Sequence, residues 1–355
     1  MYEYSHGGNA AFESVKAVID LSANINPLGL PEGVRDAIIR EIPQCALYPD
    51  SFSSKLREKI AEFEHVDAEW IYCGNGASDI IFRLPRAVQA KKVMITAPTF
   101  SDYERSARSF GSEVFRYTLY PASGFILDNG FVETVRIKAP GLVYVCNPNN
   151  PTGRLTEAGL IKELLNYCGQ IGALVAVDEC FLDFAEQADN YTSKMFLGRY
   201  SNLIIIKAFT KMFGLPGIRL GYALCSDKTL IDSLYFHGPD WPVSNLAQTA
   251  GIAAMENAGG FIRQSVNYVS AERAVLEKEL TRLGYKVFES KVNYVFFQNP
   301  YPFDLYDELD KKGIRIRACG NYYGLDGSYY RIAVSTKENN ARLLDAVKIE
   351  SRFME

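Results

Sequence analysis

A lysine and an arginine stand eight positions apart, Lys211 and Arg219, in the stretch Lys207-Ala208-Phe209-Thr210-Lys211-Met212-Phe213-Gly214-Leu215-Pro216-Gly217-Ile218-Arg219-Leu220-Gly221-Tyr222. The stretch follows an apolar run, 203–206, that reads as a buried strand. An amine just past the end of such a strand is poorly hydrated. Its pKa falls and it becomes a better nucleophile. Arg219 lies between Gly217 and Gly221, where the backbone can turn tightly and pack closely. A Schiff-base lysine with a phosphate-binding arginine has this composition. A solvated lysine in a loop has it too, so the rest of the chain must decide.

Three further clusters carry chemistry. Asn147-Pro148-Asn149-Asn150-Pro151-Thr152-Gly153 joins a strand to a helix. Two prolines, three asparagines and a glycine fix one loop shape and are expected to point amides into a site. Asp178-Glu179 ends the apolar run 174–177. A carboxylate there is costly unless paired, and a protonated ring nitrogen is one such partner. Gly74-Asn75-Gly76-Ala77-Ser78 opens a helix, whose free N–H groups and dipole suit an anion.

These clusters need a scaffold. The chain has 355 residues, 48% of them apolar, which predicts one large domain plus a smaller one. Short strands at 70–73, 93–96, 113–117, 142–146, 174–177, 203–206 and 220–224 alternate with helices through the first two thirds. That alternation predicts an α/β sheet covered on both faces. The polar clusters follow its strands, where ligands of such sheets bind. After residue 243 two helices, 244–257 and 261–283, lead into four strands, 286–288, 293–297, 314–317 and 330–334. Helices at 303–311 and 338–350 complete a smaller α+β unit. The net charge of −4 is no nucleic-acid footprint. No apolar run approaches a membrane span, and the N-terminus does not read as a signal peptide. Three scattered histidines argue against a metal site; of seven cysteines without a Cys-x-x-Cys, Cys73, Cys146, Cys180 and Cys225 lie in or beside apolar runs and read as core residues of a reducing cytosol.

Taken together, the motifs resemble the class I and II aminotransferases, the fold type I enzymes that use pyridoxal 5′-phosphate (PLP). The resemblance covers nearly the whole chain. It implies a large α/β domain with a mixed, mostly parallel seven-stranded sheet, and a smaller α+β domain. By that resemblance Lys211 would bond the cofactor and Asp178 would pair with its ring nitrogen. Asn150 would meet the ring oxygen and the substrate. Phe100, in Ala97-Pro98-Thr99-Phe100, would stack on the ring. Ala77, Ser78 and Arg219 would hold the cofactor phosphate. Tyr48 would reach that phosphate from a second subunit, which implies a homodimer. Arg331, in Tyr329-Tyr330-Arg331-Ile332-Ala333, would take the substrate carboxylate.

Two branches of the family compete. His6-Gly7-Gly8-Asn9, Ser22-Ala23-Asn24-Ile25-Asn26-Pro27-Leu28-Gly29 and Ile316-Arg317-Ala318-Cys319-Gly320-Asn321-Tyr322 resemble the branch that decarboxylates L-threonine-O-3-phosphate in the cobalamin pathway. There His6, Asn24 and Arg317 would lie near the substrate and its phosphate. The histidinol-phosphate aminotransferase branch shares the core motifs but neither the first nor the last of these segments. Phe181 stands where aminotransferases usually place a tyrosine on the ring oxygen, which favours the decarboxylase branch. Ala208 stands where both branches usually place a serine or threonine on the cofactor phosphate. One phosphate hydrogen bond is then missing, or Thr210 replaces it.

The chain is thus expected to be a cytoplasmic homodimeric PLP enzyme acting on an amino acid, one bearing a phosphate. The first reading is decarboxylation of L-threonine-O-3-phosphate to (R)-1-aminopropan-2-yl phosphate. The alternative is transamination to 2-oxoglutarate. A third reading is a PLP-binding sensor domain without turnover. Such proteins usually carry a DNA-binding domain in front, and here the fold is expected to begin almost at Met1. No metal, nucleic-acid or membrane partner is expected. The expected divisions are 1–44, an N-terminal arm and part of the small domain; 45–250, the large domain; and 251–355, the small domain.

Overall fold

The computed structural model describes residues 19–352. Strand β1 is Ile19–Asp20. Then come β2 (Ile71–Gly74), β3 (Lys92–Ala97), β4 (Glu113–Thr118), β5 (Leu142–Cys146), β6 (Leu174–Asp178), β7 (Leu203–Ala208) and β8 (Gly221–Leu224). These last seven form one sheet in the order β2-β8-β7-β6-β5-β3-β4. β8 runs antiparallel to both neighbours, and the other pairs are parallel. The sheet is therefore mixed and mostly parallel, with helices packed around it. β5, β6 and β7 are buried at every residue. That is why they read as apolar runs without alternation: helices cover both faces.

A second sheet is antiparallel. It is built from β9 (Lys286–Phe288), β10 (Tyr294–Gln298), β12 (Arg317–Ala318) and β13 (Tyr329–Ala333), in the order β12-β13-β10-β9. β11 (Ile314–Arg315) instead pairs in parallel with β1. The single strand expected over 314–317 is thus two strands. The chain changes sheets at Ile316, whose side chain is buried at the switch. A 25-residue helix, Ala258–Arg282, runs alongside. Two helices that the sequence reading passed over, Asn129–Lys138 and Lys228–Phe236, flank the large sheet.

Among the described residues no helix is long and apolar enough to cross a membrane. No group of three or more His, Cys, Asp or Glu side chains is placed to hold a metal ion among them either. Six of the seven cysteines are buried, and Cys45 is exposed.

Candidate active site

A cavity of about 160 Å³ lies at the carboxyl ends of β5, β6 and β7. Ala77, Ser78, Phe100, Asn150, Asp178, Thr210, Lys211 and Arg219 all line it, with Phe181 and Ala208. Residues spread over more than 140 positions converge because each follows a strand of one sheet.

The alternation at the end of β6 separates two neighbouring acids. Asp178 lines the cavity. Glu179 accepts hydrogen bonds from Thr192 Oγ1 (2.8 Å) and the Ser193 amide (2.6 Å). Desolvation pushes Glu179 up to about 7 despite those donors. Asp178 Oδ2 accepts from the Tyr103 hydroxyl (2.6 Å) and Oδ1 from the Cys180 amide (3.0 Å). Desolvation raises its pKa, and these donors oppose the rise. Two protein donors leave the carboxylate fixed in direction, with lone pairs still available to a protonated ring nitrogen.

Two lysines near the end of β7 are equally distinct. Lys207 is buried and pairs with Glu64 and Asp183, each at 2.9 Å. Desolvation would lower its pKa, but Asp183 and Glu64 outweigh it and keep the ammonium charged. Among the described residues Lys211 has no such partners. Its Nζ lies 5.4 Å from the centroid of the Phe181 ring. Desolvation, then the Arg331 charge, bring it down to about 8. A lysine so shifted is partly neutral near physiological pH, and the neutral amine is the form that bonds a carbonyl.

At the other end of the cavity the helix Ala77–Ala87 starts after Gly76. Gly76 has φ 83°, and a Cβ there would sit 2.7 Å from Arg219 Nη2. Only glycine lets that guanidinium close on the helix start. Gly221 plays the same part, since its Cβ would lie 2.5 Å from the Ala77 nitrogen. Arg219 itself adopts φ 58°, a left-handed conformation that is costly for a non-glycine residue. Free N–H groups, a helix dipole and an arginine together suit a phosphate. The Ser78 hydroxyl donates to Asp102 Oδ2 (3.0 Å). The donor set fits PLP: an amine, a ring-nitrogen acceptor, a stacking phenyl and a phosphate cradle surround one cavity.

The loop 147–153 does two jobs. Asn147 donates to the Tyr191 carbonyl and accepts from the Thr156 amide. Asn149 donates to the Pro98 carbonyl and Thr152 Oγ1, and accepts from Thr99 Oγ1. These two asparagines build the loop, contrary to the expectation that its amides point into a site. Asn150 alone lines the cavity, and its Oδ1 accepts from Arg331 Nη1. Arg331 is buried, donates through Nη2 to the Ser22 carbonyl (2.9 Å), and lies 5.3 Å from the Tyr294 ring centroid. With its amide oxygen turned to the guanidinium, Asn24 accepts from Nε (3.2 Å) and Nη1 (3.3 Å). Asn26 ties the same segment to the lysine, its amide donating to the Lys211 carbonyl (3.2 Å) and its Nδ2 to the Met212 carbonyl (2.7 Å). Arg317 faces Arg331 across β12 and β13 as a directly paired residue. Paired residues of an antiparallel ladder share a face, with Cβ atoms about 5 Å apart.

Tyr48 does not line the cavity. It is 80% exposed and stacks on Trp241, centroids 4.5 Å apart. His6 lies outside the described residues. The sequence reading missed Tyr103 and Ser22. Ser22 acts through its carbonyl, which no side-chain pattern reveals, and Tyr103 reads as one aromatic on an amphipathic helix.

The family model described as aminotransferase class I and II matches residues 16–347. The chain is 31% identical over 358 residues to the threonine-phosphate decarboxylase of Salmonella typhimurium, covering 98% of this chain and 97% of that protein. It is 33% identical over 334 residues to the histidinol-phosphate aminotransferase of Ruminiclostridium cellulolyticum, covering 92% and 91%. The crystal structure of the histidinol-phosphate aminotransferase from Clostridium acetobutylicum superposes with a TM-score of 0.88 at 29% identity, covering 95% of this chain and all of that one.

Proposed function

The chain belongs to the class I and II aminotransferase family, whose enzymes use PLP, and from that premise we propose that it decarboxylates L-threonine-O-3-phosphate to (R)-1-aminopropan-2-yl phosphate. PLP, when bound, supplies an electron sink for the carbon that bears the substrate amine. Lys211 holds the cofactor and moves a proton at that carbon. Asp178 keeps the ring nitrogen protonated. Ala77, Ser78, Thr210 and Arg219 anchor the phosphate, and Phe100 stacks on the ring. Arg331, held by Asn24, Asn150 and the Ser22 carbonyl, takes the substrate's α-carboxylate.

The observation that carries this reading is Arg317 beside Arg331 on one sheet face. Two arginines paired on one sheet face suit a substrate with two anions on a short carbon chain. Threonine phosphate has that form: Arg331 takes the carboxylate and Arg317 the phosphate. Together they would orient the bond to the carboxylate for loss of carbon dioxide, its electron pair passing to the sink that PLP would supply, and Lys211 would then give the carbon a proton. Phe181, which offers no hydrogen bond to the ring oxygen, agrees with the same branch. His6 is the further substrate contact of this reading.

Transamination is the second reading. It draws on the similar identity of the histidinol-phosphate aminotransferase and on that fold's close superposition. In it one phosphate would bridge both arginines. Incubation with threonine phosphate and no keto acid separates the two readings. Carbon dioxide should appear. Turnover that requires 2-oxoglutarate and yields glutamate would instead establish the aminotransferase.

The proposal includes a homodimer, in which Tyr48 completes the partner's phosphate site, and a division of the chain at 44/45 and 250/251. The pairing of β1 with β11 supports grouping the N-terminal segment with the C-terminal unit.

A further inference from the structure

A second cavity, about 290 Å³, shares Phe100 with the first, but Lys211 does not line it. Two arginines from different sheets do: Arg116 from β4 and Arg317 from β12. The loop after β12 gives each of them an aromatic face. The Tyr323 centroid lies 4.6 Å from the Arg116 guanidinium, and the Tyr322 centroid 5.2 Å from that of Arg317. Stacking on the flat face leaves the N–H edge of a guanidinium for an anion. Arg317 is steadied by the Ala318 carbonyl (2.7 Å) and Asn321 Oδ1 (2.9 Å). Arg116 gives Nε and Nη2 to Glu104, and its Nη1 makes no hydrogen bond among the described residues. Glu104 also accepts from Arg108 Nε (2.6 Å). One carboxylate between two arginines leaves that cluster net positive, and Arg317 adds a further charge across the cavity.

We propose that this second cavity is the seat of the substrate's dianionic phosphate, with Arg116 a specificity-determining cation opposite Arg317. The proposal rests on the phosphorylated-substrate reading. A carboxylate would satisfy one guanidinium fork, whereas the terminal oxygens of a phosphate ester can accept from both arginines at once. The volume is near the lower end for small-molecule sites, which suits a compact anion rather than a nucleotide. Arg116 has no motif around it, and its place is set only by the pairing of β4 with β3.

Inorganic phosphate is the probe, titrated by calorimetry into the cofactor-loaded enzyme so that the cofactor's own phosphate site is filled. The native enzyme should bind it, and Arg116→Met should weaken binding by about tenfold or more. Glu104→Gln removes the carboxylate that competes for Arg116 and should tighten binding severalfold. Opposite effects from two side chains in contact are not what lost packing gives. No change in Arg116→Met, or weakening in both variants, overturns the proposal. The outcome is independent of the reaction. An enzyme that turns over only unphosphorylated amino acids, yet binds phosphate in this pattern, would refute the substrate reading and leave the anion site standing.

Discussion

Lys207 and Lys211 lie four positions apart, and only their surroundings tell them apart. Lys207 is locked between Glu64 and Asp183, while Lys211 faces two arginines and a phenyl ring. The neutral amine is the form that attacks an aldehyde, so cofactor loading should follow its population. Because the folded pKa is depressed to about 8, the neutral form prevails above that pH and is lost as pH falls through it. An unperturbed lysine would show its midpoint near 10.4. The initial rate of PLP uptake by the cofactor-free protein, followed by absorbance, should therefore rise with a midpoint near pH 8. Arg331→Met removes one depressing charge and should move that midpoint upward. A native midpoint above 10 would show Lys211 to be an ordinary hydrated amine. Lys211, Asp178, Asn150 and Arg219 were legible in the sequence because each sits in a motif with several constrained neighbours. Tyr103 and Arg116 were not, because one aromatic and one arginine among many carry no local signature of what a distant strand brings beside them.

At the scale of elements, the sheet was legible because buried parallel strands are uninterrupted apolar runs. The helices Asn129–Lys138 and Lys228–Phe236 were passed over although both carry a signal. Each has an aspartate N-cap, Asp128 and Asp227, accepting from the amide two residues on. Each buries apolar residues at one spacing: Phe131, Val132 and Val135, then Leu230, Ile231 and Leu234. The polar network that joins the helix Ser54–Glu64 to β7 was illegible, since nothing local links positions 64, 194, 207 and 222. Glu64 accepts from Lys194 (2.8 Å), Lys207 (2.9 Å) and the Tyr222 hydroxyl (2.5 Å). Desolvation would raise its pKa, but Lys207 and Lys194 together hold it at about 2. Its folded value lies below the unfolded one, so its stabilisation is complete above about pH 4.5 and lost as pH falls towards 2. Glu64→Gln leaves buried Lys207 with Asp183 alone. It should destabilise the cofactor-free protein by about 3 kcal/mol in urea unfolding at neutral pH. The difference from native should shrink below about pH 4, and a difference that persists there would mean that shape rather than charge carries the effect.

At the scale of the whole molecule, several large apolar side chains stand exposed among the described residues. Ile42, Leu47, Tyr48, Phe236 and Trp241 are exposed. Asn245 fastens the first segment by donating to the carbonyls of Gln44 (2.7 Å) and Leu47 (3.0 Å), and Trp241 stacks on Tyr48. Leu47, Pro49 and Trp241 line one cleft with Arg219, so this patch adjoins the Arg219 end of the first cavity. Apolar side chains gathered beside a binding site are where a second copy would be buried. In a two-fold dimer the same patch meets itself, so each copy can carry its Tyr48 towards the other's cavity. Tyr48→Phe and Lys211→Ala should each be poorly active alone. Mixed and reassembled, they should form hybrids with one native site, made of Lys211 from the first variant and Tyr48 from the second. Each hybrid should then have about half the activity of the native dimer, because its other site lacks both groups, and an equal, randomly reassembled mixture should recover about a quarter. Tyr48 acting within its own subunit predicts no such rise, since every intact lysine would then face a phenylalanine. Hybrids demonstrated by native mass spectrometry without recovered activity would place Tyr48 outside the partner's site.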